Sequence, residues 1–228
     1  MYPKVLVGCP TSNHKEYCLK EYVIGVKSFS YPNYDVLIID NSEDENYYNK
    51  LKEQLPTIKD KWIENARDRI VHSRNLLRKK VLDENYDYFL SLEQDVIPPK
   101  DIIERLLNHN KKVISALYFK LGNDNKTLLP LLLLEDKDSQ GRIVYRRASL
   151  DEVEQNKLLN VACPGLGCML IHRSVLENVE FRYDKNEKGF DDVFFCKDAE
   201  NNGFKIYCDT SIKCKHLVSG MDWNKIKK

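Results

Sequence analysis

The feature that most constrains this chain is an alternation of short apolar runs and helical-period segments, repeated through its first hundred residues. Residues 4–9 form an apolar run stopped by Pro10. Asn13 and Glu16 follow with the spacing of a helix-starting capping box, and Leu19, Tyr22, Val23, Val26 and Phe29 then recur at helical spacing. Residues 35–40 (DVLIID) read as a second buried strand, followed by an acidic turn at 41–44. A long helix is predicted over 64–84, with Ala66, Ile70, Leu77 and Val81 on one face, leading into a strand at 88–92. Strands alternating with helices in this way imply a mainly parallel sheet with helices on both faces. Ligands of such sheets bind beyond the carboxyl ends of the strands. Residues 9–11, 40–41 and 93–95 are therefore expected to converge on one crevice.

The second half has a different pattern. Strands are predicted at 113–119, 166–171 and 204–207. Residues 128–134 and 141–147 read as a hairpin joined by the polar turn 135–140, and 192–202 as a helix ended by Gly203. With 228 residues, the chain is long enough for one α/β domain and short for two. We expect a single domain over 1–228, with one half at 1–99, another at 100–220 and a tail at 221–228. The composition, 42% hydrophobic and 31% charged, is that of a globular chain. A net charge of +1 supplies no field to collect nucleic acid.

The segment YDYFLSLEQDVIPP (86–99) is the strongest chemical signal. A buried strand runs into Glu93-Gln94-Asp95 and is stopped by Pro98-Pro99. Carboxylates separated by one residue at a strand end project to the same side, which suits a hard divalent cation that takes its remaining ligands from phosphate and water. A solvated acidic turn would have the same spacing. Arg67, Arg74 and Arg78 lie close to one face of the long helix, in the most basic part of the chain. Of these, Arg74 is the candidate for reaching a diphosphate or base. Asp191-Asp192 opens the helix after Gly189-Phe190, where acids also complement the helix dipole.

These segments together resemble the GT-A glycosyltransferases. The acid-x-acid triplet followed by Ile-Pro-Pro looks like their DxD region, with Glu93 in the place of the first Asp. CPTSNHKEYCLKEYVIGVKSFSYPNYDVLIIDNSED is similar to the opening of family-2-type members, and ARDRIVHSRNLL to the helix before the DxD strand. GFDDVFFCKDAENNGFKIYCDTSIKCKH resembles the stretch with an acidic pair, a helix, a strand and a His. The resemblance implies a single-domain GT-A (Rossmann-like) α/β fold, with 1–99 as its nucleotide-binding half and 100–220 as its acceptor-side half. It also implies transfer of a sugar, a hexose by expectation, from a UDP- or GDP-linked donor to an acceptor hydroxyl with inversion. Pro10 and Thr11 would line the base pocket, and Asp40 would accept hydrogen bonds from the base or ribose. Asp95 and His216 would hold Mn²⁺ or Mg²⁺, with Glu93 assisting or reaching the ribose. Asp192 would be the general base, and Asp191 would hold the acceptor.

Two other readings share these residues. A sugar-nucleotide nucleotidyltransferase would need a glycine-rich loop after the first strand, and no glycine lies between Pro10 and Glu16. A non-catalytic nucleotide- or carbohydrate-binding protein of the same fold would have no use for a base. The seven cysteines cannot all pair within one chain, and C-x4-C with C-x5-C lacks the tight spacing of structural zinc sites. They read as buried reduced thiols, and with no secretory segment ahead of the first strand the expectation is cytoplasmic, with room for docking on a membrane face. The longest apolar run, 128–134, is too short to span a bilayer. Gly165 and Gly167 are expected to let backbone approach a sugar. Trp223 is open to stacking on a ligand or anchoring the tail.

Overall fold

The computed structural model describes residues 2–218, apart from 125 and 188. The described residues begin with strands and helices in alternation. They are β1 (Val5–Thr11), a 3-10 turn (Asn13–Cys18), α1 (Leu19–Lys27), β2 (Tyr34–Asp40), α2 (Asn46–Lys52), β3 (Thr57–Lys59), α3 (Ala66–Asp83), β4 (Tyr88–Leu92), β5 (Val96–Ile97), and, past α4 (Ile102–Leu107), β6 (Val113–Leu117) and β7 (Phe119–Leu121). Then come β8 (Leu128–Pro130), β9 (Leu133–Lys137), β10 (Ile143–Arg147), α5 (Leu150–Glu154), β11 (Leu158–Asn160), β12 (Cys168–His172) and α6 (Arg173–Leu176). The last elements are α7 (Asp191–Asn201), β13 (Ile206–Lys213) and β14 (Lys215–His216).

Eight strands form one sheet in the order β11-β13-β6-β12-β4-β1-β2-β3. Six run the same way, while β12 and β11 are antiparallel to their neighbours. The sheet crosses the expected boundary near residue 99, so the two halves share one continuous layer. Side chains of β1 alternate between the two cores, with Leu6 on one face and Val5, Val7 and Cys9 on the other. Period-two alternation with apolar residues on both sides requires both faces to be covered. Helix α3 contributes Leu77 and Val81 to the first core, joined by Phe181 and Phe195; α1 and α4 cover the second with Tyr22, Val26, Ile102 and Leu106. Gly8 permits the close approach of α3, because a Cβ there would fall 2.5 Å from Phe89 and 2.8 Å from Leu77.

Several local expectations are corrected. The Asn13/Glu16 capping box does not form: Ser12 is the residue before the 3-10 turn, without a side-chain cap, and Glu16 pairs with Lys50 at 2.5 Å. The capping box that does form is Ser149 with Glu152, at the start of α5. The expected hairpin forms between 133–137 and 143–147, so only the end of the run 128–134 belongs to its first arm. Pro130 lies at the break: β8 pairs with β7, while β9 pairs with β10. The strand expected at 204–207 begins at Ile206 and continues to Lys213 beside β6. Trp223 and the expected tail lie outside the described residues. Among the described residues, no helix is long and apolar enough to cross a membrane.

Candidate functional site

The carboxyl ends of β1, β2 and β4 lie on one edge of the sheet, as the strand pattern requires. Thr11 is in register with Asp40, and the Thr11 hydroxyl donates to the Gln94 side-chain oxygen. The Gln94 amide in turn donates to the Tyr47 hydroxyl at 2.5 Å and to the Lys15 carbonyl at 3.0 Å. Pairing of β14 with β5 sets His216 opposite Val96 and so beside Asp95. Antiparallel β12 brings the loop 164–167 to the same edge, where the Glu93 N–H donates to the Gly167 carbonyl at 3.0 Å. The first turn of α7 completes the rim.

A cavity of about 300 Å³ opens here, lined by Arg74, Glu93, Asp191, Asp192 and His216 on its polar side. Leu131, Leu132, Leu133 and Leu166 form its apolar wall. Arg147 also lines it, with one guanidinium nitrogen held by the Pro130 carbonyl at 2.5 Å. Five expected site residues therefore share one cavity. Pro10, Thr11, Asp40 and Asp95 do not line it; they lie on the adjoining strand ends.

Arg74 is not a free cation awaiting a phosphate. Its side chain is 2% exposed, and it donates to the Ser91 hydroxyl at 2.8 Å and the Glu93 carboxylate at 2.7 Å. Its Nε lies 2.6 Å from Asp191 Oδ2, a charge contact without hydrogen-bond alignment. Burial alone would lower the Arg74 pKa, but Asp191 and Glu93 outweigh it and hold it above the ordinary value. Asp191 thus meets this guanidinium through Oδ2 while also lining the cavity. Burial raises the Glu93 carboxyl against the opposing pull of Arg74, although its side chain keeps 34% exposure at the cavity.

Asp192 is different. One oxygen accepts from the Val193 N–H at 2.8 Å, and Oδ2 is 3.9 Å from where a Gly165 Cβ would stand. Desolvation, and then the neighbouring Asp191 charge, raise its pKa from 3.8. Gly165 and Gly167 face Tyr118: added Cβ atoms would fall 2.3 Å from the Tyr118 hydroxyl and 2.6 Å from its ring. The Gly167 N–H donates to that hydroxyl at 3.0 Å. The close approach expected for a sugar is thus made by a side chain of the protein itself.

Asp40 is fully buried. Oδ1 accepts from the Ser42 hydroxyl at 2.6 Å and its N–H at 3.2 Å, and Oδ2 from Lys59 at 2.8 Å. Each oxygen accepts from a donor of the protein, so Asp40 fixes the loop after β2. Beside it, Asn41, Ser73, Asp60 and His72 form a hydrogen-bonded chain.

Asp95 is nearly fully buried, at 4% side-chain exposure. Oδ2 receives the Lys15 ammonium and lies 3.3 Å from His216 Nε2. Oδ1 is buried without a hydrogen-bond partner. Burial would raise this carboxyl, but His216 and Lys15 outweigh it and hold it at about 2. His216 Nδ1 lies 2.7 Å from the Phe119 carbonyl, which assigns Nδ1 as a donor and fixes the ring with Nε2 facing Asp95. Burial lowers the His216 pKa, and Asp95 more than offsets it, so the net shift is upward. An orphaned carboxylate oxygen beside an oriented imidazole fits a divalent cation. No group of three or more His, Cys, Asp or Glu side chains that could hold a metal occurs among the described residues, so such an ion would take further ligands from phosphate and water. All seven cysteines are buried and free.

The residues that sequence reasoning missed are Lys15, Lys59, Tyr118 and Arg147. Only the Asn13/Glu16 spacing hinted that a turn near Lys15 mattered, and nothing local marked the others.

No protein-family model and no curated protein matches the chain. Solved structures do. GalNAc-T7, determined with UDP, GalNAc and Mn²⁺, superposes with a TM-score of 0.68 at 12% identity, over 95% of this chain and 44% of that one. A197 from STIV matches with a TM-score of 0.51 at 14% identity, over 94% of this chain and 86% of that one. The chain thus spans less than half the length of GalNAc-T7. Likeness at such identities is likeness of fold, and the fold is a single-domain, GT-A/Rossmann-like α/β architecture with a large, mainly parallel sheet flanked by helices.

Proposed function

We propose that this protein is a glycosyltransferase that moves a sugar from a UDP- or GDP-linked donor to an acceptor hydroxyl, with inversion and with help from Mn²⁺ or Mg²⁺. The observation that carries the reading is Asp192. A partly desolvated carboxylate with a raised pKa stands on the cavity that Glu93 and His216 also line, and His216 touches Asp95. The GalNAc-T7 structure contains UDP, GalNAc and Mn²⁺ on a related fold, which supports the donor class. We read Glu93-Gln94-Asp95 as the equivalent of a DxD triplet because its two carboxylates follow β4 and Asp95 lies beside His216.

In this mechanism the donor sugar occupies the cavity between the Glu93 edge and α7. Asp192 accepts the proton of the acceptor hydroxyl as that oxygen attacks the anomeric carbon, and the bond from that carbon to the diphosphate breaks. Desolvation makes Asp192 a stronger base than an exposed aspartate. Arg74 holds Glu93 and Asp191 in place, so the acidic rim does not collapse by repulsion. Asp95 and His216 would hold the cation, which when bound neutralises the departing diphosphate. Pro10 and Thr11 would border the base at the end of β1, and Asp40 would shape that border through Ser42 and Lys59.

The test is incubation with a panel of nucleotide sugars and candidate acceptors, with Mn²⁺ or Mg²⁺, and measurement of released nucleoside diphosphate. Release is expected for one donor class. Asp192→Asn is expected to lose on the order of 10²–10⁴-fold in turnover while retaining nucleotide binding. Nucleotide binding with no turnover for any donor would favour the non-catalytic binder.

A further inference from the structure

Lys15 is the residue whose position the proposed reaction does not explain. Its ammonium rests on Oδ2 of Asp95, the same oxygen that His216 Nε2 approaches at 3.3 Å. Asp95 is buried, so the ammonium satisfies a charge that water cannot reach. Lys15 itself is 39% exposed along its side chain, leaving the group an open path outward. Its backbone, by contrast, is tied down. The Lys15 N–H donates to the Ser12 carbonyl at 2.9 Å, and its carbonyl accepts from the Gln94 amide and from the Cys18 thiol, each at 3.0 Å. The residue is therefore a fixed tether with a movable charged end. Tyr17, in the same turn, also feels the Asp95 charge.

An ammonium and a divalent cation cannot share one buried carboxylate without strong repulsion between them. Resting on the reading of this site as a donor site, we propose that the Lys15 ammonium is the built-in counter-charge of Asp95 that a divalent cation displaces. It leaves Asp95 for the diphosphate oxygens when cation and nucleotide enter together, so that the two bind as a pair. Cation alone must evict Lys15 with no anion to receive it. Cation with nucleotide gives the ammonium a phosphate partner, for which lysine is suited as a point charge.

The test is Mn²⁺ affinity, read from the electron paramagnetic resonance of free Mn²⁺, with and without UDP, in the wild type, Lys15→Gln and Lys15→Arg. Lys15→Gln is expected to bind Mn²⁺ alone on the order of 10-fold more tightly than the wild type, and to show a correspondingly smaller enhancement by UDP. Lys15→Arg keeps the positive charge and is expected to retain weak metal binding and strong enhancement. Circular dichroism of each variant checks the fold. If the wild type takes up Mn²⁺ with UDP but Lys15→Gln binds the ion alone no more tightly, the Lys15 proposal is overturned and the donor site stands. Tighter metal binding with undiminished UDP enhancement overturns the transfer to phosphate. Absence of Mn²⁺ binding in all three proteins, with UDP present, overturns both this proposal and the donor-site reading.

Discussion

Replacing Arg74 by Met tests whether this guanidinium is a clamp inside the protein or a ligand for the donor. Met fills much of the same space but leaves two carboxylates without their partner. Asp191 keeps only 8% side-chain exposure, so its charge would stay largely out of water; Glu93, at 34%, would regain solvent. Removing one member of a buried ion pair costs about 3–5 kcal/mol. Because Glu93 recovers part of its hydration, about 3 kcal/mol is expected, at the lower end of that range. For a domain of this size that lowers Tm by roughly 6–12 °C. Urea denaturation of the wild type, Arg74→Met, Asp191→Asn and the double variant closes a thermodynamic cycle. Asp191→Asn in the Arg74→Met background is expected to restore about 1–2 kcal/mol, since it removes the stranded charge. The reasoning fails if Arg74→Met loses less than about 1 kcal/mol and Asp191→Asn restores nothing. Should that same variant fail to bind UDP, Arg74 would be the phosphate ligand that its place on the helix first suggested.

Asp95→Ala is expected to abolish cation-dependent thermal stabilisation by UDP or GDP, and His216→Ala to weaken it; undiminished stabilisation in Asp95→Ala would rule out that carboxylate as the cation's ligand. Because Asp95 is held at about 2 against 3.8, its contribution to stability is complete above pH 3.8 and is lost as pH falls toward 2. Acid denaturation of Asp95→Asn should therefore be less steep in that window than that of the wild type. The Asp192 pKa is raised from 3.8, so kcat/KM should fall on the acid side at a pH above that value, and an acid limb below it would dissociate Asp192 from the base. Gly165→Ala forces a Cβ to 2.3 Å from the Tyr118 hydroxyl at a backbone φ of +71°; a loss of about 1–3 kcal/mol is expected, partly relieved by Tyr118→Phe, and wild-type stability in chemical denaturation would contradict the packing described.

The sequence by itself determined the sheet and its chemical edge. Apolar runs ending at Thr11, Asp40 and Leu92 can only be strands buried on both faces, and strands joined through helices must run parallel. That puts their carboxyl ends, with Glu93 and Asp95, on one side of the molecule. Periodicity reports how each segment is buried, which is a local property. It does not report what a polar side chain meets after folding. Arg74 read as a cation reaching for a diphosphate or base, yet that face of α3 buries Arg69, Ser73 and Arg74 alongside Leu77 and Val81. Its partners come from β4 and from the start of α7. Asp40 stands at the expected strand end, but its oxygens accept from Lys59 and Ser42. Lys15 meets Asp95 across 80 residues of sequence, and His216 reaches it only because β14 pairs with β5. Strand ends were legible because burial is repeated along the chain. Charge partners were not, because a buried charge is neutralised by whichever opposite group the completed sheet brings within reach, and no local pattern records that distance.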